Sequence, residues 1–221
     1  MIYGKSPCYI TEHVGIITML GRTERYIMRS YFFQVVAVLS LLSSCNSTED
    51  SRQKAIDLNN QGVQLRHTDA DKASALFKES ISIDSTSPAA YNNLAGVYVE
   101  KGDYKNATNI VESLVHVKPD LAEAVFFLGM LKEKLGERDI AQALYEKSIL
   151  LFDGRIKQGD KYLLANRANH AVALIFVGRE QEGRDEIKRI LPEFPSDSPM
   201  IEVLTNLDKE KYLQSILGGA P

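Results

Sequence analysis

The chain has 221 residues, with 26 basic and 29 acidic side chains, no tryptophan and two cysteines. A net charge of −3 excludes the basic stripe that a nucleic-acid binder needs. The two cysteines, Cys8 and Cys45, are too few for a disulfide framework.

Residues 1–27 show no clear hydrophobic period and carry Gly4, Gly15 and Gly21. They read either as an upstream start that is not used or as an extension without a fold. Met28-Arg29 then opens a short basic segment, followed by a run from Tyr31 to Leu42 that is apolar apart from Gln34 and Ser40. A positive start, an apolar middle and small residues before a cut are the plan of a secretory signal. Twelve helical residues reach roughly 18 Å, short of a hydrocarbon core about 30 Å thick. The segment 28–44 is therefore expected to be a signal peptide and not a membrane span.

Leu42-Ser43-Ser44-Cys45 resembles the lipobox of bacterial lipoproteins. In that family the cysteine is diacylated through its thiol and the signal is removed just before it. The resemblance makes Cys45 the lipidation site and the first residue of the mature protein, with palmitate-like chains holding it to the membrane. It implies the bacterial cell envelope, and Asn46 in place of an aspartate favours the outer membrane; which leaflet and facing stay open. Two or more chains anchor stably, whereas one binds at only about 10⁴ M⁻¹. Residues 45–53 are polar and acidic and are expected to form a tether. Cleavage would leave a mature chain of net charge −5 with a single cysteine, so its stability must come from packing.

A 34-residue period runs through the middle of the chain. Leu94 recurs as Leu128, Gly102 as Gly136, Ala73 as Ala107 and Ala141, and Phe77 as Val111 and Tyr145. A fixed period of this size means stacked helix pairs. In the unit 88–121, Tyr91, Leu94, Ala95 and Tyr98 share one helix face, Gly102 breaks the helix, and Ala107, Val111, Leu114 and Val115 form a second face before Pro119. These residues resemble the tetratricopeptide repeat, with mild departures at Val111 and Leu114. The unit 122–155 repeats the pattern with Lys132 where an aromatic is usual and Asp153 where proline is usual. Lysine can lay its stem over apolar surface with the amine in water. The unit 55–87 is one residue short, in the turn 67–70.

A fourth unit, 164–197, follows eight extra residues near 156–163, and Asp160 is expected to cap a longer first helix running to about Val177. Beyond it, Ile201, Leu204 and Leu207 mark one apolar edge, and Tyr212, Leu213, Ile216 and Leu217 another. This tail reads as a cap or as a mobile amphipathic segment. The resemblance thus implies an all-α fold, a right-handed α-solenoid of about four stacked helix pairs over 54–217 with a C-terminal capping helix.

No Gly-x-Ser-x-Gly, phosphate loop or His-Glu-x-x-His is present, and His13, His67, His116 and His170 are scattered. No enzyme activity, cofactor or metal is expected. In tetratricopeptide stacks the first helix of each pair lines a concave groove. On that geometry the groove shows Asn59, Val63 and Arg66, then Asn92, Gly96 and Val99, then Glu123, Phe126, Met130 and Glu133, then Ala168, Val172 and Ile175. Phe126, Met130, Val172 and Ile175 form an apolar strip that either faces a bound peptide or meets the insertion or the cap of the same chain. Arg66 is the only groove cation in the first three units, which argues against a carboxylate clamp. The expected function is a lipid-anchored scaffold that binds a protein or peptide through this groove, with no nucleic-acid partner. The alternative is an assembly lipoprotein for outer-membrane barrels, pili or secretion machinery. A glycan-binding role is disfavoured because no tryptophan is available to stack on sugars.

Overall fold

A computed structural model describes residues 49–159 and 161–218. The lipobox with Cys45, the segments 1–27 and 28–44, and Asp160 lie outside the described residues. Among the described residues every regular element is a helix. Helix α1 covers 49–65, so residues 49–53, expected in the tether, are already helical. Then come α2 (Ala70–Ile83), α3 (Pro88–Glu100), α4 (Tyr104–Val117), α5 (Ala122–Lys134), α6 (Arg138–Gln158), α7 (Leu163–Phe176) and α8 (Glu180–Ile190). A 3₁₀ turn at Leu191–Glu193 leads to α9 (Pro199–Thr205) and α10 (Lys209–Leu217). From α2 to α8 each helix packs against the next in chain order. Among the described residues no helix is long and apolar enough to cross a membrane.

The turn inside each pair shows why the first unit is short. Gly102, Gly136 and Gly178 sit at φ of 72°, 81° and 91°, left-handed backbone that glycine adopts without a Cβ clash. The next N–H then reaches back five residues in all three turns: Asp103 to Tyr98 (2.8 Å), Glu137 to Lys132 (2.9 Å) and Arg179 to Leu174 (2.8 Å). In the first pair Asp69 donates to Leu65, four residues back, at 2.7 Å. The residue missing from that unit is the left-handed glycine.

Size matching across the pairs explains the departures inside the repeat. Gly62 faces Phe77, and a Cβ on Gly62 would lie 2.5 Å from the Phe77 ring. Gly129 faces Tyr145 in the same way, at 2.6 Å. Where the facing residue is the smaller Val111 or Ile187, the glycine is replaced by alanine, Ala95 or Ala171, and all four are buried. Close packing leaves room for a large aromatic only opposite a missing methyl.

The eight extra residues do not lengthen α7 as expected; α7 begins at Leu163, and α6 is extended to 21 residues, against 14 in α4. The added turns are tied back to the start of α5. Arg155 Nη1 donates to both Glu123 carboxylate oxygens at 2.8 and 2.9 Å, and its Nη2 to the Asp120 carbonyl at 3.0 Å. Lys132 keeps its place in the packing by ion pairing with Glu112 and Glu137 at 2.9 and 3.1 Å, which lifts its pKa above the usual lysine value.

Candidate functional site

The first helices of the pairs meet along one face. Asn93 donates to Asn59 Oδ1 at 2.8 Å across α1 and α3. The Arg66 guanidinium lies flat on α3 because Gly96 offers no Cβ, which would sit 2.5 Å from Nη2. That nitrogen pairs with Glu100 at 2.7 Å, while Arg66 Nε is buried without a hydrogen-bond partner among the described residues. A cavity of about 540 Å³ opens beside them, walled by Arg66, Gly96, Val99, Tyr104, Phe127 and Ile216. Asn92 stays exposed on the same helix as Gly96 and Val99. This half of the expected groove is open.

The other half is covered by the chain itself. Phe126 and Met130 on α5 are 9% and 4% exposed, and Val172 and Ile175 on α7 are buried with them, contrary to an exposed strip. Helix α10 lies against α5 and closes the strip, the second of the two expected arrangements. Leu217 is fully buried and Tyr212 sets its ring edge-on to Phe176, 5.8 Å between centroids. Phe176 in turn meets Phe126 at 5.0 Å and Tyr145 at 5.3 Å, and Phe126 meets Tyr145 at 5.4 Å. The edge contacts of Phe176 add to the hydrophobic gain of burial. Ile216, expected to face inward, is instead 42% exposed on the wall of the open cavity.

Glu133, expected to meet a partner, holds α10. It accepts a hydrogen bond from Tyr145 Oη at 2.7 Å and pairs with Lys209 Nζ at 2.7 Å. Lys209 also donates to the Phe176 carbonyl at 3.2 Å. At the far end of α10, Tyr104 Oη donates to the Leu217 carbonyl at 3.1 Å and Lys134 Nζ to the Gly218 carbonyl at 3.4 Å. Tyr104 and Lys134 escaped sequence reasoning because their role is set by a helix more than eighty residues away. Of the seven expected groove residues, Arg66 and Val99 line the open cavity and Asn92 is exposed beside them. Asn59 bonds Asn93, and Phe126, Met130 and Glu133 serve α10.

Burial, and after it the bond to Glu133, push the Tyr145 phenol well above the ordinary tyrosine range. Burial raises Tyr212 as well. Both therefore ionise in the unfolded chain at about pH 10 while the folded chain keeps its protons. The folded state then binds more protons, so stability is complete below that pH and falls as pH rises above it. Tyr145→Phe is expected to flatten this alkaline loss, read as the urea midpoint between pH 8 and 11; an unchanged slope would remove Tyr145 from the account. His170 is half-buried with Nε2 3.2 Å from Asp153, and burial pulls its pKa down against that carboxylate.

Two tetratricopeptide repeat family models match the chain, over residues 64–135 and 122–152. Residues 64–152 are thus similar to tetratricopeptide repeats. The pair α7 and α8 lies beyond the matched span and continues the stack by packing onto α6. The mitochondrial import receptor subunit TOM70 of Saccharomyces cerevisiae is 26% identical over 114 residues, which is 51% of this chain and 18% of that protein. The chain thus spans about a fifth of that receptor's length. Among solved structures, the tetratricopeptide-like repeats of a Podosopora anserina putative kinesin light chain share 14% identity over 75% of this chain and 92% of theirs, at a TM-score of 0.48. YrrB, described as a repeat protein with an unusual peptide-binding site, shares 18% identity over 78% of this chain and 89% of its own, at a TM-score of 0.42. Tetratricopeptide repeats typically mediate protein interactions.

Proposed function

We propose that the protein is a lipid-anchored scaffold that captures a protein or peptide partner in the open half of its groove. The observation that carries the reading is that open half: exposed Asn92 on α3, Arg66 laid on Gly96 and a cavity of about 540 Å³ beside them. Asn92 offers an amide that can pair with a peptide backbone, and the cavity accepts a side chain. Arg66 and the neighbouring Lys101 are already paired, with Glu100 and Asp71, so charge alone does not select the ligand. The lipobox-like Leu42-Ser43-Ser44-Cys45 supports acylation at Cys45 and residence in a bacterial envelope, with the outer membrane favoured. An anchor would hold the repeats near envelope partners at raised local concentration.

Two measurements test the two parts. Cys45→Ala is expected to abolish labelling by radioactive palmitate and to move the protein from the membrane to the aqueous fraction. A variant that stays membrane-bound and is processed as before sinks the anchor. Crosslinking in membranes should lose its partner bands in Asn92→Arg, a surface change with little effect on folding. Unchanged bands would place the binding surface elsewhere.

A further inference from the structure

Helix α10 lies in the groove as a ligand would. The register of the repeats shows it. In α3 the groove positions are Asn92, Gly96 and Val99; Asn92 is exposed, and Gly96 and the buried Val99 border the open cavity. One unit on the corresponding positions are Phe126, Met130 and Glu133 on α5, and in the last unit Ala168, Val172 and Ile175 on α7; all of these but Glu133 are buried in the cluster that includes Leu217 of α10. Where α10 covers the groove it offers four larger apolar side chains, Phe126, Met130, Val172 and Ile175, with Glu133 beside them.

We propose that the α5–α7 half of the groove is a binding site for an amphipathic helix of a partner, and that α10 is its resident competitor. The inference rests on the scaffold reading above and names the chemistry of the partner. Such a helix carries a lysine in its first turn, an aromatic and a leucine one turn on, and a leucine near its end, as Lys209, Tyr212, Leu213 and Leu217 do.

Two features separate α10 from an ordinary capping helix. Lys209 stands at the first helical position, where a cation opposes the helix dipole. That placement answers Glu133, 2.7 Å away, and not the needs of the helix. At the other end Tyr104, at the start of α4, and Lys134, at the end of α5, donate to the carbonyls of Leu217 and Gly218. Free carbonyls are presented by the last turn of any helix, so these donors would accept another helix as well. Helix-in-groove recognition works through this kind of anchoring at three- and four-residue spacing.

A resident helix lowers the apparent affinity for a competitor by the fraction of time the groove is open. The probe is a fluorescent synthetic peptide spanning Asn206 to Gly218, titrated into the full chain by anisotropy. Lys209→Glu in the protein sets a like charge against Glu133 and is expected to tighten binding of the unaltered peptide by about tenfold over the parent chain. Tyr212→Ala, which loosens α10 without touching the ion pair, should produce a gain of the same direction. Adding Glu133→Lys to Lys209→Glu should restore α10 in its seat and return the peptide to weak binding. Equal binding by parent and variants overturns the proposal. So does a loss of helical signal across the repeats in both single variants, because α10 would then be part of the fold and not its guest. The Asn92→Arg crosslinking reads the open half, so failure here leaves the scaffold reading standing.

Discussion

Phe176→Ala is expected to lower the free energy of unfolding by about 4 kcal/mol, the usual cost of emptying a buried aromatic site. The residue is 2% exposed and is the ring on which three others converge: Phe126, Tyr145 and Tyr212, with centroids 5.0, 5.3 and 5.8 Å away. Each edge contact is worth about 0.5–1.5 kcal/mol beyond burial, so the loss exceeds that of an isolated phenylalanine. The backbone carbonyl of Phe176 also accepts from Lys209, whose ammonium stands 5.3 Å over the ring. Removing the ring therefore weakens both the last repeat pair and the seat of α10. Thermal unfolding should shift down by about 10 °C, at the 2–4 °C per kcal/mol of a domain this size. A shift below about 3 °C would mean that neighbouring side chains close the gap, and the aromatic cluster would lose its place as the centre of the fold.

The second large effect concerns two glycines inside helices, with opposite signs. Helix propensity alone favours alanine over glycine by about 1 kcal/mol at either site. At Gly154, in the extended part of α6, a Cβ would meet nothing within 4 Å, so Gly154→Ala should stabilise by about that amount. At Gly183 in α8 a Cβ would lie 2.6 Å from the Ala171 carbonyl oxygen and 2.7 Å from Ile175 Cγ1. The nearest atom is backbone and cannot swing aside. Overpacking costs about 1–3 kcal/mol and exceeds the propensity gain, so Gly183→Ala should destabilise by about 1 kcal/mol net. Urea midpoints of the two variants, one above the parent and one below, check the pair. Stabilisation by Gly183→Ala would show that α7 and α8 can separate without loss.

Periodicity made the repeats legible, because each unit buries the same positions against its neighbours. Gly102 and Gly136 could be placed in turns, since only a residue free of Cβ tolerates their backbone. The pairing of Gly62 with Phe77 and Gly129 with Tyr145 was also written in the chain as matched sizes, although contact is needed to see it. The insertion was located but assigned to the wrong helix. Extra turns on α6 and on α7 satisfy the same hydrophobic count, and the bonds from Arg155 to Glu123 and Asp120 favour α6.

The groove was half legible. Register alone puts Arg66, Asn92, Val99, Phe126, Met130 and Glu133 on the first helices, and it treats them as equivalent. Whether a groove position meets solvent depends on what else reaches it, and α10 is brought there from far along the chain. By itself the amino-acid sequence determined the helix pairs, the turns between them and the apolar faces, because each depends on residues three to thirty-four positions apart. Only the tertiary structure decided which half of the groove is open. That outcome turns on Lys209 reaching Glu133 and Leu217 reaching the core, contacts that no local period encodes.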